Sequence, residues 1–230
     1  MSTALAIFVK TPGLSPIKTR LAAGIGAGRA EQFHALAANA VAAVARAAMP
    51  LVEPYWAVAE SEALQHPCWK GLPTLWQGGG GLGARLDSVC HALQNRHGRV
   101  LLVGADCPQL SVELLHAAVR VLKERQTPLV MGRASDGGFW LFGTRVPVPA
   151  SVWRQPTYST ASTANELIAA LHPLAAPAHL PTLTDIDRAE DLIALADALN
   201  ELPAPLPEQQ ALQTWLRGLP AAWSHKETLA

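Results

Sequence analysis

Val100-Leu101-Leu102-Val103-Gly104-Ala105-Asp106-Cys107-Pro108-Gln109-Leu110-Ser111 is the stretch whose reading decides the fold. Its first four residues form a short unbroken apolar run, the pattern of a strand buried on both faces of a sheet. Gly104 ends the run and Pro108 stops the strand. Ser111 is a suitable N-cap for a helix that opens with Val112-Glu113-Leu114-Leu115. A strand that turns quickly into a helix is half of a β-α-β unit. Open α/β sheets bind ligands outside the carboxyl ends of their strands, and Asp106 follows such an end. A carboxylate there suits a divalent metal held against phosphate oxygens, or, more simply, the capping of a turn.

The same alternation extends in both directions from this strand. Upstream, Ala4 to Val9 predicts a strand and Lys10 to Arg20 a loop punctuated by Pro12, Gly13 and Pro16. Phe33, Leu36, Ala40 and Val44 recur at helical spacing, which predicts a helix from about Gly28 to Ala48. Tyr55 to Ala59 and Thr74 to Gln77 read as strands, and Leu82 to Gln94 as a helix. Downstream, a helix is predicted over Val112 to Lys123. Pro128 to Gly132 and Gly138 to Gly143 are close enough to form an antiparallel pair. Ser162 to Leu171 is helical, Ala178 to Leu183 a strand, and Arg188 to Leu199 a last helix. The expected fold class is α/β: a mostly parallel sheet with helices on both faces. After Leu202 the prolines thicken, so a domain over residues 1–200 is expected to be followed by a Pro-containing extension over 201–230. That extension holds a short amphipathic segment, Glu208 to Leu216, and a partly mobile tail.

Composition bounds the function. Half of the 230 residues are hydrophobic and only 16% are charged, with 18 basic residues against 18 acidic ones. This balance offers no electrostatic argument for nucleic acid or a membrane surface. Cys68, Cys90 and Cys107 form no CxxC pair and cannot all pair within one chain, which suits a reducing cytoplasm. The first nine residues lack the basic and long apolar regions of a signal peptide, and no apolar run matches a membrane span. The histidines lack zinc-site spacing and there is no GxSxG, so zinc chemistry and serine hydrolysis are disfavoured.

Four stretches carry candidate chemistry. In the first, Lys10, Lys18 and Arg20 cluster on or beside one turn with Thr11 and Gly13, and lysine and arginine are the side chains that bind phosphate. In the second, Gln77-Gly78-Gly79-Gly80-Gly81 leads into a helix bearing Arg85. Consecutive glycines cost chain entropy, which close backbone approach to a ligand would justify. The third, Ser135-Asp136-Gly137-Gly138, is a natural hairpin turn that also brings a carboxylate to the rim of the cleft, able to act as base. In the fourth, Asp185-Ile186-Asp187-Arg188-Ala189-Glu190, an extended backbone puts Asp185 and Asp187 on one side. Asp187 is also a candidate N-cap, with Glu190 completing a capping box.

Taken jointly, these residues resemble a family. Phe8-Val9-Lys10-Thr11-Pro12-Gly13, Lys18-Thr19-Arg20-Leu21-Ala22, Gln77-Gly78 with Arg85, Gly104-Ala105-Asp106-Cys107-Pro108, Asp136-Gly137-Gly138-Phe139 and Asp185-Ile186-Asp187 look like the DUF2064 group. That group lies within the glycosyltransferase-A-like nucleotide-diphospho-sugar transferases. Lys18 to Ala22 also resembles phospholactate guanylyltransferase. The resemblance covers roughly residues 4–199 and implies a Rossmann-like sheet of glycosyltransferase-A type. It further implies Mg²⁺ or Mn²⁺ on Asp106 and Asp187. The nucleotide would be bound by Lys10, Thr11, Gly13, Lys18, Arg20, Gln77, Gly78 and Arg85, with Asp106, Asp136, Arg20 and Lys18 in catalysis. Cys107-Pro108 after Asp106 departs from the Asp-x-Asp of many glycosyltransferases, and Tyr158-Ser159-Thr160 stands where tryptophan is commonest before Ser-Thr.

The implied activity is a metal-dependent transfer from an activated nucleotide to a small-molecule acceptor. The basic loop tilts it toward nucleotidyl transfer from a triphosphate with release of pyrophosphate. The alternatives are glycosyl transfer from a nucleoside-diphospho-sugar and nucleotide binding without turnover. The implied setting is cytoplasmic, without nucleic acid or membrane, with a homodimer compatible.

Overall fold

The computed structural model describes residues 2–220. The chain runs β1 (Thr3–Val9), α1 (Thr19–Ile25), α2 (Ala27–Ala47), β2 (Val52–Val58), β3 (Thr74–Trp76), α3 (Leu82–His97), β4 (Arg99–Gly104) and α4 (Val112–Lys123). It continues with β5 (Leu129–Ala134), β6 (Phe139–Thr144), α5 (Ala150–Arg154), α6 (Thr163–Leu171), β7 (Ala178–Leu183), α7 (Asp191–Asn200) and α8 (Pro207–Arg217). The strands form one sheet in the order β3-β2-β1-β4-β6-β5-β7. β1 pairs in parallel with both β2 and β4, with Ala6 opposite Tyr55 on one side and Leu102 on the other. Strand β6 lies antiparallel between β4 and β5, as the short Asp136-Gly137-Gly138 connection requires.

The sheet is covered on both faces, and β1 shows why. Its alternate residues Leu5, Ile7 and Val9 join a core built with residues of α2 and α4. Ala4 and Ala6, on the other face, join Leu86 and Val89 of α3, Trp153 of α5 and Leu167 of α6. Where α3 meets α5 the approach is so close that a Cβ on Gly83 would lie 2.1 Å from the Trp153 carbonyl oxygen. Gly83→Ala is therefore expected to push the two helices apart and cost about 2 kcal/mol, read as a fall in chemical-denaturation midpoint.

Most predicted elements are present, with three physical differences. Strand β2 starts at Val52 and runs through Pro54. This is tolerated because β3 pairs only with Trp56–Val58, leaving Pro54 where β2 is an edge strand. Helix α1, read in the sequence as the end of a loop and unassigned chain, is a seven-residue helix that buries Leu21 and Ile25 one turn apart. Helix α8 is docked: Leu212 and Leu216 pack with Phe33 of α2 and Leu195 of α7. Its Gln209, 2% exposed, donates to the carbonyls of Pro108 and Leu110, both at 2.9 Å. The end of the expected mobile tail, residues 221–230, lies outside the described residues. Among those described, no helix is long and apolar enough to cross a membrane, and the three cysteines are free.

Candidate active site

From β1 the chain moves outward to β2 and β3, and from β4 it moves outward the other way. The gap between the carboxyl ends of β1 and β4 is thus a topological switch point, where open sheets bind ligands. A cleft of about 670 Å³ opens there, and Lys10, Lys18, Arg20, Asp106, Asp185 and Asp187 meet in its wall.

Lys18 is the hub. Its backbone takes the left-handed conformation, φ 46° and ψ 44°, immediately before α1. A non-glycine residue is rarely held there, and such strain gathers at functional sites. The twist carries the side chain inward until it is only 4% exposed. Its ammonium lies 3.0 Å from Asp106 Oδ1 and 3.3 Å from Asp187 Oδ1, and donates to the Ile186 carbonyl. Burial works against the charge, but Asp106, Asp185 and Asp187 outweigh it and hold the pKa above the usual lysine value. Arg20, on the first turn of α1, reaches Asp187 Oδ2 at 3.1 Å.

The aspartates come from two loops stitched together by main chain. The Ile186 amide donates to the Asp106 carbonyl at 3.2 Å, and Gln109 Nε2 donates to the Thr184 carbonyl at 2.7 Å. Oxygens of Asp106, Asp185 and Asp187 all lie within 4.8 Å of one another. Asp185 Oδ1 is buried with no hydrogen-bond partner. An orphaned buried carboxylate oxygen among two others fits a hard divalent cation, the ion that all-oxygen donor sets favour.

Asp185 joins Asp106 and Asp187 as a candidate ligand that the sequence does not single out, because one Asp-Ile-Asp stretch offers two equivalent positions. The period-two spacing that aligned it with Asp187 was the available signal. Its burial, then the nearby Asp106, push its pKa up to about 8, although Lys18 pulls the other way. In the metal-free protein the folded state therefore binds this proton more tightly than the unfolded chain. The stability it contributes is present below the ordinary carboxylate pKa and is lost as pH rises to about 8. Asp185→Asn is expected to make the metal-free protein more stable than wild type at alkaline pH, on the order of 1 kcal/mol, while weakening Mn²⁺ binding. Urea unfolding at pH 5 and 8.5 measures the first effect and calorimetry the second.

The capping role expected for Asp187 with Glu190 falls to another residue. Asp191 Oδ2 accepts from the amides of Asp187 and Arg188 at 2.9 and 2.7 Å, and α7 starts three residues later than predicted. Asp187 is thereby left to face Lys18 and Arg20.

The other predicted residues divide. Lys10, Gln77, Arg85 and Asp136 line the cleft, whereas Thr11, Gly13 and Gly78 do not. Thr11 is fully buried, its amide donating to Glu60 and its hydroxyl accepting from Trp69 Nε1. Gly13 serves a turn at φ 82°. Gly78 also has positive φ, and a Cβ there would sit 2.8 Å from Ser88 Oγ of α3, so the turn and its packing on that helix account for the glycine. Gln77 spends its amide donor on the carbonyls of Val9 and Ala57, which ties the ends of β1 and β2. Arg85 closes the glycine loop through the Gly80 carbonyl at 2.9 Å. Asp136 takes the Gly138 amide on Oδ1 at 2.8 Å, so the hairpin role and the cleft-rim position coexist. Buried Cys107 has its thiol pKa pushed well up by that burial, which leaves no thiolate for catalysis.

Two supports escaped sequence reading. His34, on α2, bonds the Lys10 carbonyl through Nε2 at 3.0 Å, and its burial lowers its pKa. Buried Glu60 holds the Thr11 amide at 2.9 Å. Both fix the start of the basic loop from sequence-distant elements, and neither sits in a motif.

The DUF2064 family, described as an uncharacterized protein conserved in bacteria, matches residues 37–160. The chain belongs to the DUF2064 family. The matched span of this DUF2064 member contains Asp106 and Asp136, while Lys18, Asp185 and Asp187 lie outside it. No curated protein matches the sequence. Among solved structures, the chain is similar to a candidate nucleotide-diphospho-sugar transferase from Desulfovibrio desulfuricans G20. The two are 21% identical, with 98% of this chain and 100% of the other covered and a TM-score of 0.84. It is also similar to CMP:2-keto-3-deoxy-manno-octonic acid synthetase complexed with CTP (10% identity, 88% and 100% covered, TM-score 0.56). A third similar structure is 4-diphosphocytidyl-2C-methyl-D-erythritol synthase from Anaerococcus prevotii DSM 20548 (10%, 94% and 96%, TM-score 0.53). At these identities the likeness establishes the fold.

Proposed function

We propose that this DUF2064 member is a metal-dependent transferase that uses an activated nucleotide, in the first instance a nucleotidyltransferase acting on a nucleoside triphosphate. The observation that carries the reading is the convergence of Lys18 and Arg20 on Asp106, Asp185 and Asp187 in one cleft. Three carboxylates beside two cations make a site that takes a metal and phosphates together. Asp106, Asp185 and Asp187 are the residues that would hold Mg²⁺ or Mn²⁺. Such an ion, when bound, neutralises phosphate charge and orients the reacting phosphate. Lys10, Lys18 and Arg20 are proposed to bind the triphosphate and stabilise the charge that builds on the leaving group. An acceptor oxygen attacks the α-phosphorus, the bond from that phosphorus to the bridging oxygen breaks, and pyrophosphate leaves with the electron pair. Asp136, at the rim of the cleft, is proposed to take the proton of an acceptor hydroxyl.

Glycosyl transfer from a nucleoside-diphospho-sugar is the second reading, favoured by the same Asp136, which would serve as the base for a sugar acceptor. The two differ in donor charge. Arg20→Ala is expected to cost nucleoside triphosphate binding about 1.5–3 kcal/mol, roughly tenfold or more in affinity, and diphosphate binding much less. Titration of both ligands into wild type and variant at fixed metal and salt measures this. Equal losses would remove the preference for nucleotidyl transfer, and a diphospho-sugar binding more tightly than any triphosphate would favour the second reading.

A further inference from the structure

The cations of the cleft lie to one side of it, together with the Asp106, Asp185 and Asp187 cluster that pairs with Lys18 and Arg20. Among the described residues that line the cleft, the cations Lys10, Lys18, Arg20 and Arg85 all come from the loop after β1, the start of α1 and the first turns of α3. The opposite wall is built by the end of β5, the hairpin into β6 and the segment before α6, residues 134–163. Asp136 is its one charged side chain among those lining the cleft. Arg133, the neighbouring cation, donates to Asn165 Oδ1 at 2.8 Å and does not line the cleft.

Asp136 and the Thr160 hydroxyl give this wall its acceptors, while the Trp140 Nε1 and Tyr158 hydroxyl donors are spent on the carbonyls of Pro181 and Trp153. Thr160 and Thr163 turn their hydroxyl protons to the Thr157 carbonyl, at 2.9 and 2.8 Å, and the buried Thr163 oxygen takes the Thr160 amide at 3.2 Å, which leaves the Thr160 oxygen as the acceptor nearer the cleft. Asp136 is acceptor-only when ionised. Beside them stand the rings of Phe139 and Tyr158, and Ser159 is held at φ 62° on the rim, a strained conformation for a residue that is not glycine. A wall whose one charge is a carboxylate, set among aromatic surface, favours hydroxyl or amine protons and apolar faces over phosphate or carboxylate.

The donor's phosphates need the cationic wall, which leaves this one for the second substrate. Resting on the transferase reading above, we infer that residues 134–163 form the acceptor subsite and that the acceptor is a polyhydroxy compound bearing no anionic group. Its reacting hydroxyl meets Asp136, and its less polar face lies on Phe139 and Tyr158.

The test is binding to the nucleotide-loaded protein by ligand-observed NMR, with Mg²⁺ saturating. The probes are matched pairs: glycerol with glycerol 3-phosphate, myo-inositol with its 1-phosphate, and ribose with ribose 5-phosphate. Wild type is expected to bind alcohols in preference to their phosphate esters. Asp136→Lys, which reverses the wall's one charge, is expected to raise the ester-to-alcohol affinity ratio about tenfold or more. Asp136→Asn keeps the oxygen that caps the turn and should give an intermediate ratio, which separates charge from folding. Wild type preferring the esters, or a ratio unchanged in Asp136→Lys, overturns the inference. Failure of wild type to bind any nucleotide with metal is a separate result, and it removes the transferase reading together with the acceptor assignment.

Discussion

Asp106→Asn is expected to cost metal-dependent nucleotide affinity about 100-fold or more, since even the partners of metal ligands are worth 10–100-fold. The substitution keeps the shape of the side chain and removes one of three carboxylates whose oxygens lie within 4.8 Å of one another. Its effect on folding is expected to be small for a reason visible in the site. Lys18 loses its 3.0 Å partner, but it keeps Asp187 at 3.3 Å and the Ile186 carbonyl. Asp185, whose proton is held tightly partly because of Asp106, is relieved of that repulsion. The two changes oppose one another. Calorimetric titration of nucleotide with Mn²⁺ present reads the loss, and thermal unfolding without metal reads the folded state. Equal nucleotide affinity in the variant would return Asp106 to a turn-capping role.

Lys18→Met gives the other large effect, with the opposite signature. It removes the buried cation from among three carboxylates. Losing one partner of a buried ion pair is far more costly than losing an exposed one. Because Asp106 and Asp187 remain 40% and 35% exposed, the cost is discounted to on the order of 2 kcal/mol. For a chain of this size that lowers the unfolding temperature of the metal-free protein by about 4–8 °C. A divalent cation supplies the missing positive charge, so Mn²⁺ is expected to restore more stability to the variant than it adds to wild type. In the absence of nucleotide the variant is expected to bind Mn²⁺ more tightly, because the ammonium no longer competes for Asp106 and Asp187. Triphosphate affinity should fall about tenfold or more with the lost charge-assisted contact. Thermal scans with and without Mn²⁺ decide the matter. A variant destabilised equally in both would mean that Lys18 and the metal do not share the carboxylates.

The site was legible in proportion to how local its signals are. Asp106 follows a strand with a four-residue apolar run and precedes a helix capped by Ser111, whose Oγ accepts the Leu114 amide at 3.3 Å. All three facts are neighbours in the chain. Lys18 and Arg20 were legible as cations. That Lys18 would be buried was not, because its inward turn depends on a left-handed backbone and on carboxylates 88 and 169 residues away. Gln209 was read as part of an amphipathic segment in a Pro-rich extension. Its clasp on the Pro108 and Leu110 carbonyls exists because α8 docks on α2.

The sequence by itself determined the alternation of strands and helices, the two-faced burial of the sheet and the residue types available for chemistry. These follow from hydrophobic period and turn residues, which act over a few positions. Tertiary structure alone decided which carboxylates share an ion, that Asp191 rather than Glu190 caps the last loop, and that the cations gather on one wall while Asp136 faces them from the other. Those outcomes depend on the order in which strands pair, and in particular on β4 lying between β1 and β6. Strand order is set by packing among residues tens to hundreds of positions apart, where no local pattern of charge or spacing reaches.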